Sequence, residues 1–356
     1  MRHPIIESDL RYIAKANLEW EIFNNKTIFI SGANGFLPAY MVETFLYLKE
    51  VSMIENIKII ALVRDKKKAI NRFHHYNENN SLEFICQDVC QPILVDEKID
   101  YVIHAASQAS PKFYNTDPAG TMLANILGTN NLLELSRKNN SAGFLFFSSS
   151  EIYGQVNEFE IPTAENVVGR IDPLLVRSCY AESKRAGETM CISWFHQYGV
   201  PAKIVRPFHT YGPGVSLDDG RVFTDFIGDI INNRNIKMTS DGTGIRSYCY
   251  IADATIGFFK VLIEGKISEA YNIGNPQAEI SILNLAKTLI DLFPNKNLKV
   301  IEDIPKERFG YIRSTISRNC PDISKMQLLG WEPNIDIRNG FKRTINWHHA
   351  SPILSQ

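Results

Sequence analysis

The sequence predicts an α/β protein built on a doubly wound parallel sheet, with a smaller C-terminal lobe. Three observations carry this. Short apolar runs alternate with helical patterns as far as Pro207. A glycine pair, Gly32 and Gly35, separates the first such run from the helix after it. Beyond Pro207 the pattern loosens into turns, among them Tyr211 to Gly214, Asp219–Gly220 and Asp241 to Gly244.

The elements follow in order. Apolar residues at helical spacing (Ile5, Leu10, Ile13, Leu18, Ile22) predict a lead-in helix over residues 5–23. Thr27 to Ser31 reads as the first strand, and a helix runs from about Leu37 to Leu48. Ile57 to Val63 is a second strand, and Phe84–Ile85, ending at Asp88, a third. Tyr101 to His104 and Gly143 to Ser148 are the fourth and fifth. Between them Pro118 to Lys138 is helical, with Asp117 and Pro118 suited to the cap and first turn. A helix from Tyr180 to Tyr198 and a strand from Ala202 to Arg206 complete the core. Tyr248 to Glu264 and Ala270 to Gly274 are expected to return to the sheet. The division expected is a helical extension at 1–25, a dinucleotide-binding domain at 26–207 with returns near 248–274, and a substrate lobe over 208–348.

The whole chain narrows the classes of function. Its 356 residues suit one large domain or a domain with a smaller lobe, and 44% hydrophobic content is ample for a core. A net charge of -1 gives no electrostatic case for nucleic acid or an anionic membrane. Six scattered cysteines (Cys86, Cys90, Cys179, Cys191, Cys249, Cys320) form no CxxC pair, so buried thiols and no metal site are expected. The start lacks the apolar core of a signal peptide, and no run of about 18 apolar residues occurs. A soluble, cytoplasmic protein is expected.

Gly32 and Gly35 follow a strand and open a helix, the context in which glycines let backbone approach a pyrophosphate at a helix N-terminus. This makes a Rossmann-type cofactor site the expectation. The usual third glycine is replaced by Pro38, which a helix tolerates in its first turn. The second strand ends on Arg64 and Asp65, followed by Lys66, Lys67 and Lys68. Asp65 suits the ribose diol of NAD, whereas Arg64 with the lysines suits the 2′-phosphate of NADP. NAD is the expected cofactor and NADP the alternative. Asp88 and Val89, after the third strand, fit an adenine contact.

Tyr180 and Lys184 stand four residues apart, about one helical turn, and so project from one face. A free tyrosine, with a pKa of about 10, is a poor base at neutral pH. An ammonium beside it and a positively charged nicotinamide would stabilise the phenolate. Such a tyrosine takes a proton from an alcohol as hydride leaves the same carbon.

With these residues, Ser148 to Gly154, His104 to Pro111 and Arg206 to Pro213 together, the chain resembles the extended short-chain dehydrogenase/reductases that act on nucleotide sugars. The resemblance spans roughly residues 26–348. Arg177 to Cys191, Asp219 to Val222, Gly242 to Arg246, and Pro321 to Ile323 leading to Leu329 to Pro333 look most like UDP-glucuronate decarboxylases.

The resemblance implies the roles that follow. Tyr180 is the base for the sugar 4-hydroxyl, Lys184 tunes it and holds the nicotinamide ribose, and Ser149 hydrogen-bonds the same hydroxyl. Oxidation leaves a 4-keto sugar, a carboxylate β to the ketone leaves as carbon dioxide, and returning hydride restores the cofactor. Glu151 joins the catalytic set; with Ser149 and Ser150 before it, the aspartate acid of 4,6-dehydratases is absent. The cofactor is expected against Gly32, Asn34, Gly35, Phe36, Leu37, Arg64, Asp88 and Val89. It is expected also against Ala105, Ala106, Ser107, Asn125 and Pro207, besides Tyr180 and Lys184. The substrate is expected against Ser107, Ser150, Arg177, His209, Arg221, Val222 and Arg246, with a homodimer paired through the 118–138 and 180–198 helices.

Three positions depart from the decarboxylase pattern: His209 stands for an asparagine, Gly214 for an arginine and Asp225 for an asparagine. They alter the substrate pocket and point to a differently substituted sugar nucleotide as the competing substrate. The alternative reaction is epimerisation through the same intermediate, followed by dehydration and, last, a non-catalytic dinucleotide-binding protein.

Overall fold

The main-sheet strands in this computed structural model are short and mostly apolar; it describes residues 2–76, 79–303 and 316–350, so residues 304–315 of the expected lobe lie outside the description. The chain begins with α1 (Pro4–Ala14), β1 (Thr27–Ser31), α2 (Phe36–Glu50), β2 (Lys58–Val63), α3 (Lys66–Arg72) and β3 (Leu82–Cys86). It continues through β4 (Tyr101–His104), α4 (Pro111–Thr116), α5 (Pro118–Asn139), β5 (Gly143–Phe147), α6 (Ser178–Tyr198) and β6 (Ala202–Pro207). Then come β7 (His209–Tyr211), α7 (Val222–Ile231), β8 (Ile236–Met238), β9 (Ile245–Tyr250), α8 (Ile251–Glu264) and β10 (Ala270–Ile273). The last elements are β11 (Glu279–Ser281), α9 (Ile282–Asp291), β12 (Val300–Glu302), β13 (Arg318–Asn319), α10 (Ser324–Leu328) and α11 (Ile337–Ala350).

The main sheet has the order β10-β6-β5-β4-β1-β2-β3, all parallel. Apart from the edge strand β3, its strands are buried on both faces, which is why they read as continuous apolar runs. Ile28, Ile30, Ile103, Leu145 and Val205 pack with α2 and α8 on one face. Phe29, Val102, Phe144, Phe146 and Ile204 pack with α5 and α6 on the other. Order reverses between β1 and β4, and ligands bind at such a point, outside the carboxyl ends of the strands.

A second sheet joins β11, β9 and β13, with β7 also paired to β9. The segment Tyr248 to Glu264 therefore divides: β9 belongs to this smaller sheet, and α8 lies on the main one.

The lead-in helix is shorter than its periodicity suggests. It stops at Ala14, and Trp20–Phe23 form a separate 3-10 turn. The chain turns there because Trp20 and Phe23 insert edge-on against Phe259, and Phe23 also against Phe45 and Tyr101. Asp9 of α1 is fully buried, accepting from Tyr40 (3.0 Å), Tyr250 (2.9 Å) and Arg343. The lead-in helix is thus joined to α2, β9 and α11 through one carboxylate.

Candidate active site

The expected cofactor residues collect at one edge. Gly32 follows β1 with φ 66°, and a Cβ there would lie 2.7 Å from the Ala106 Cα after β4. Only glycine permits both that backbone and that approach. Gly35 caps α2 with no side chain over the first amides, and Phe36 and Leu37 begin the helix. Pro38 occupies the first turn, where its missing N–H costs nothing. Ala105 and Ala106 are pinned when their amides donate to Ser31 Oγ at 3.2 and 3.1 Å. Ser107 Oγ and Asn125 Oδ1 are buried without a partner, while Asn125 Nδ2 is held by Ser183 Oγ at 2.9 Å. A cradle of free helix-start amides beside unsatisfied polar atoms fits a dinucleotide.

At the far rim Arg64 and Asp65 are exposed. One Asp65 oxygen accepts from the Lys68 amide at 3.0 Å, capping α3. Asp88 similarly accepts from the Cys90 amide at 2.8 Å, and Val89 is buried against α5 with its carbonyl accepting from Asn131 at 2.9 Å. Pro207 ends β6. His104 is buried between Ser31 Oγ (2.9 Å) and Thr129 Oγ1 (3.1 Å), which gives it a structural role.

The Tyr–Lys pair sits in the first two turns of α6. Tyr180 is 6% exposed and Lys184 2%. Lys184 Nζ donates to the Phe147 carbonyl at 2.6 Å and lies 5.8 Å from the Tyr180 ring centroid. Burial pushes the phenol up to about 12, against the Ser149 hydroxyl, which hydrogen-bonds it, and the nearby Arg221. Burial pulls the ammonium down to about 7, against Cys191 and Glu188. Ser149 is set by a 3-10 turn over Ser150–Tyr153, whose Glu151 amide donates to Ser149 Oγ at 3.2 Å. Ser150 is buried in the same turn.

Two ion pairs flank Tyr180. Arg177 donates to Glu151 at 3.3 Å, on the approach to α6. Arg221 pairs with Asp219 just before α7, with its second contact at 3.2 Å, and Val222 opens that helix. The Asp219 carbonyl accepts from Ser110 Oγ at 2.5 Å, tying the loop after β4 to the smaller lobe. Arg246 donates to the carbonyls of Ile245 (2.7 Å), Ile316 (2.9 Å) and Ser317 (3.2 Å). His209 is half-buried on β7, edge-on to Tyr248.

The other departures have local accounts. Gly214 has φ 89°, and a Cβ there would lie 2.4 Å from the guanidinium of Arg72, which fills that space and donates to the Gly214 carbonyl at 3.3 Å. Asp225 is exposed on α7.

Two site residues escaped sequence reasoning. Tyr114 of α4 stacks on Tyr180, centroids 5.1 Å apart and planes 18° off parallel, and Arg177 lies 5.7 Å from the Tyr114 centroid. Its hydroxyl donates to the Ala109 carbonyl at 3.0 Å. Only an aromatic shortly after the His104 to Pro111 stretch hinted at it. Asp219 belonged to a recognised stretch but carried no assigned role.

A glycine cradle at the switch point, with serine, tyrosine and lysine converging beside it, places the chain among the extended short-chain dehydrogenase/reductases. Within that class it belongs to the NAD dependent epimerase/dehydratase family, whose model matches residues 28–274. UDP-glucuronic acid decarboxylase 3 of Arabidopsis thaliana is 35% identical over 325 residues, covering 89% of this chain and 87% of the relative. UDP-glucuronic acid decarboxylase 1 of Xenopus tropicalis is 31% identical over 330 residues, covering 91% of this chain and 72% of the relative. In fold the chain is similar to UDP-glucose 4-epimerase of Thermotoga maritima, solved with UDP-glucose: TM-score 0.76, 22% identity, 92% of this chain and 99% of that one. It is similar too to UDP-glucuronic acid 4-epimerase of Bacillus cereus, solved with UDP-glucuronic acid and NAD: TM-score 0.74, 22% identity, 90% and 98% covered. Among the described residues no helix is long and apolar enough to cross a membrane.

Proposed function

We propose that this protein decarboxylates UDP-glucuronate, or a closely related nucleotide-linked uronate, through a transient 4-keto sugar with NAD as recycled cofactor. The observation that carries this reading is the meeting of Ser149, Tyr180 and Lys184 with a Glu151 held by Arg177 at the same mouth. The identity to the Arabidopsis decarboxylase supports it.

Tyr180 takes the proton of the sugar 4-hydroxyl while Ser149 fixes that hydroxyl's direction. NAD, when bound in the Gly32–Gly35 cradle, supplies the acceptor for the C4 hydride and returns it, so no net redox change occurs. A ketone at C4 leaves the carboxylate on C5 in the β position. Its C–C bond breaks with loss of carbon dioxide, and the electron pair spreads onto O4, where the protonated Tyr180 donates a hydrogen bond. Glu151, held as a carboxylate by Arg177, orients the water through which C5 then takes one proton from solvent. One uronate and one proton thus give one pentose and carbon dioxide. Dehydration is disfavoured because Ser150 offers no acid for a leaving water.

In this reading residues 26–207 with 248–274 hold the cofactor, 208–348 the nucleotide sugar, and 1–25 form a helical extension. Ser107, His209, Arg221, Val222 and Arg246 line the substrate side. The product class, a nucleotide-activated pentose or 4-keto pentose, suits polysaccharide or other glycoconjugate synthesis.

We also infer a homodimer. The outer surface of α5 and α6 exposes Met122, Leu123, Leu127, Ile192, Phe195 and Tyr198, an apolar set that a second copy would cover. Sedimentation of Leu123→Glu should then show a monomer.

Carboxyl-labelled UDP-glucuronate tests the reaction. Labelled carbon dioxide supports decarboxylation; a labelled 4-epimer with no gas release assigns the epimerase reaction instead.

A further inference from the structure

His209 opens β7, and the register of β7 on β9 places it beside Tyr248. The two rings meet edge-on with centroids 5.8 Å apart. His209 Nδ1 and the Tyr248 hydroxyl are both buried without a hydrogen-bond partner. Buried polar atoms are ordinarily paired, so two adjacent orphans call for a partner.

The charged groups that face this imidazole are Arg221, at the start of α7, and Arg246, on β9; the Tyr248 phenol feels the same two. Helices α8 and α11 also pack on β7, but their Asp253 and the neighbouring Asp336 act on Tyr211 instead. Asp219 is committed to Arg221. The imidazole therefore stands among cations. Its burial, with those two guanidinium groups, keeps it neutral, well below the usual histidine range.

Such a setting suits an incoming anion of more than one charge. Two guanidinium groups match phosphate oxygens once they exchange their present partners, Asp219 for Arg221 and backbone carbonyls for Arg246, and an uncharged imidazole near both becomes a donor at both nitrogens once protonated. We propose that His209 reads the diphosphate of the nucleotide sugar: as the phosphates enter between Arg221 and Arg246, the imidazole takes one proton from solvent and donates a hydrogen bond to a phosphate oxygen. Binding then consumes a proton. The inference rests on the nucleotide-sugar reading of this pocket and is independent of the reaction that follows.

The test is calorimetry of UDP-glucose binding to the NAD-loaded protein at about pH 7.5, in two buffers of different ionisation enthalpy. The diphosphate of UDP-glucose does not titrate in that range, so any proton is the protein's. Expected is an uptake close to one proton per site, with affinity falling up to about 10-fold per pH unit above neutrality. His209→Asn and His209→Gln, checked for folding by retained NAD binding, should bind with no uptake and little pH dependence. Wild-type binding without proton uptake, uptake unchanged in both variants, or no binding at any pH overturns the proposal. Proton uptake without carbon dioxide from UDP-glucuronate would leave it standing and overturn the decarboxylase reading.

Discussion

The Lys184 ammonium nitrogen lies 5.8 Å from the centroid of the Tyr180 ring, and both side chains are buried. Burial moves their proton affinities towards each other, the phenol up to about 12 and the ammonium down to about 7. Without cofactor the pair is therefore poised against forming phenolate and ammonium. An oxidised nicotinamide, if held beside the Gly32–Gly35 cradle, would bring the missing positive charge. A pH titration of phenolate absorbance, as the difference between wild type and Tyr180→Phe, should show Tyr180 ionising near 12 in the free protein. It should ionise at clearly lower pH with NAD⁺ bound. An unchanged titration would remove the electrostatic link.

Tyr180→Phe keeps the ring and its stack but removes the acid–base oxygen. Turnover should fall about 10²–10⁴-fold with NAD affinity retained, read by steady-state kinetics and cofactor titration. Ser149→Ala should cost roughly 10- to 100-fold, the scale of one hydrogen bond to a charged group.

Tyr114 is predicted to be a positioning residue through its stack on Tyr180. An aromatic pair contributes about 0.5–1.5 kcal/mol beyond buried area. Tyr114→Leu should lower kcat about tenfold with KM little changed. Tyr114→Phe, which keeps the ring, should restore kcat. Equal losses in both variants would assign the role to the Ala109 hydrogen bond instead.

His104 makes the fold acid-sensitive. Burial, then the charge of Lys184, holds its pKa well below 6.5. The unfolded chain takes a proton below about 6.5 that the folded protein refuses. This contribution to stability is complete above that pH and is lost as pH falls towards the folded value. Melting temperature of His104→Asn against wild type should show a shallower acid slope for the variant.

Asp9 joins four elements of the fold through one carboxylate. Asp9→Ala leaves Tyr40, Tyr250 and Arg343 without their acceptor, a change of about 3–5 kcal/mol by analogy with broken buried pairs. A chemical denaturation midpoint close to wild type would show that α1 is dispensable to the core.

The main sheet was legible because each strand is an apolar run closed by a turn, and the cofactor edge because Gly32 and Gly35 lie at a strand–helix junction. The smaller sheet was not, since β7, β11 and β13 are two or three residues long and show no period. The lead-in helix was drawn too long because Trp20 and Phe23 keep a helical spacing while serving a different part of the core. Tyr180, Lys184, Ser149 and Glu151 could be picked out by spacing and resemblance. Their neighbours Tyr114 and Asp219 could not, because a ring stack and an ion pair at a lobe junction depend on tertiary approach alone. Gly214 read as a lost cation, whereas Arg72, distant in sequence, packs its guanidinium against the Gly214 backbone.

The most direct test follows UDP-glucuronate by proton NMR in the presence of the protein and NAD⁺, with evolved carbon dioxide trapped. The account predicts a UDP-pentose or UDP-4-keto-pentose in step with the gas. UDP-galacturonate without gas, or unchanged UDP-glucuronate, would contradict it.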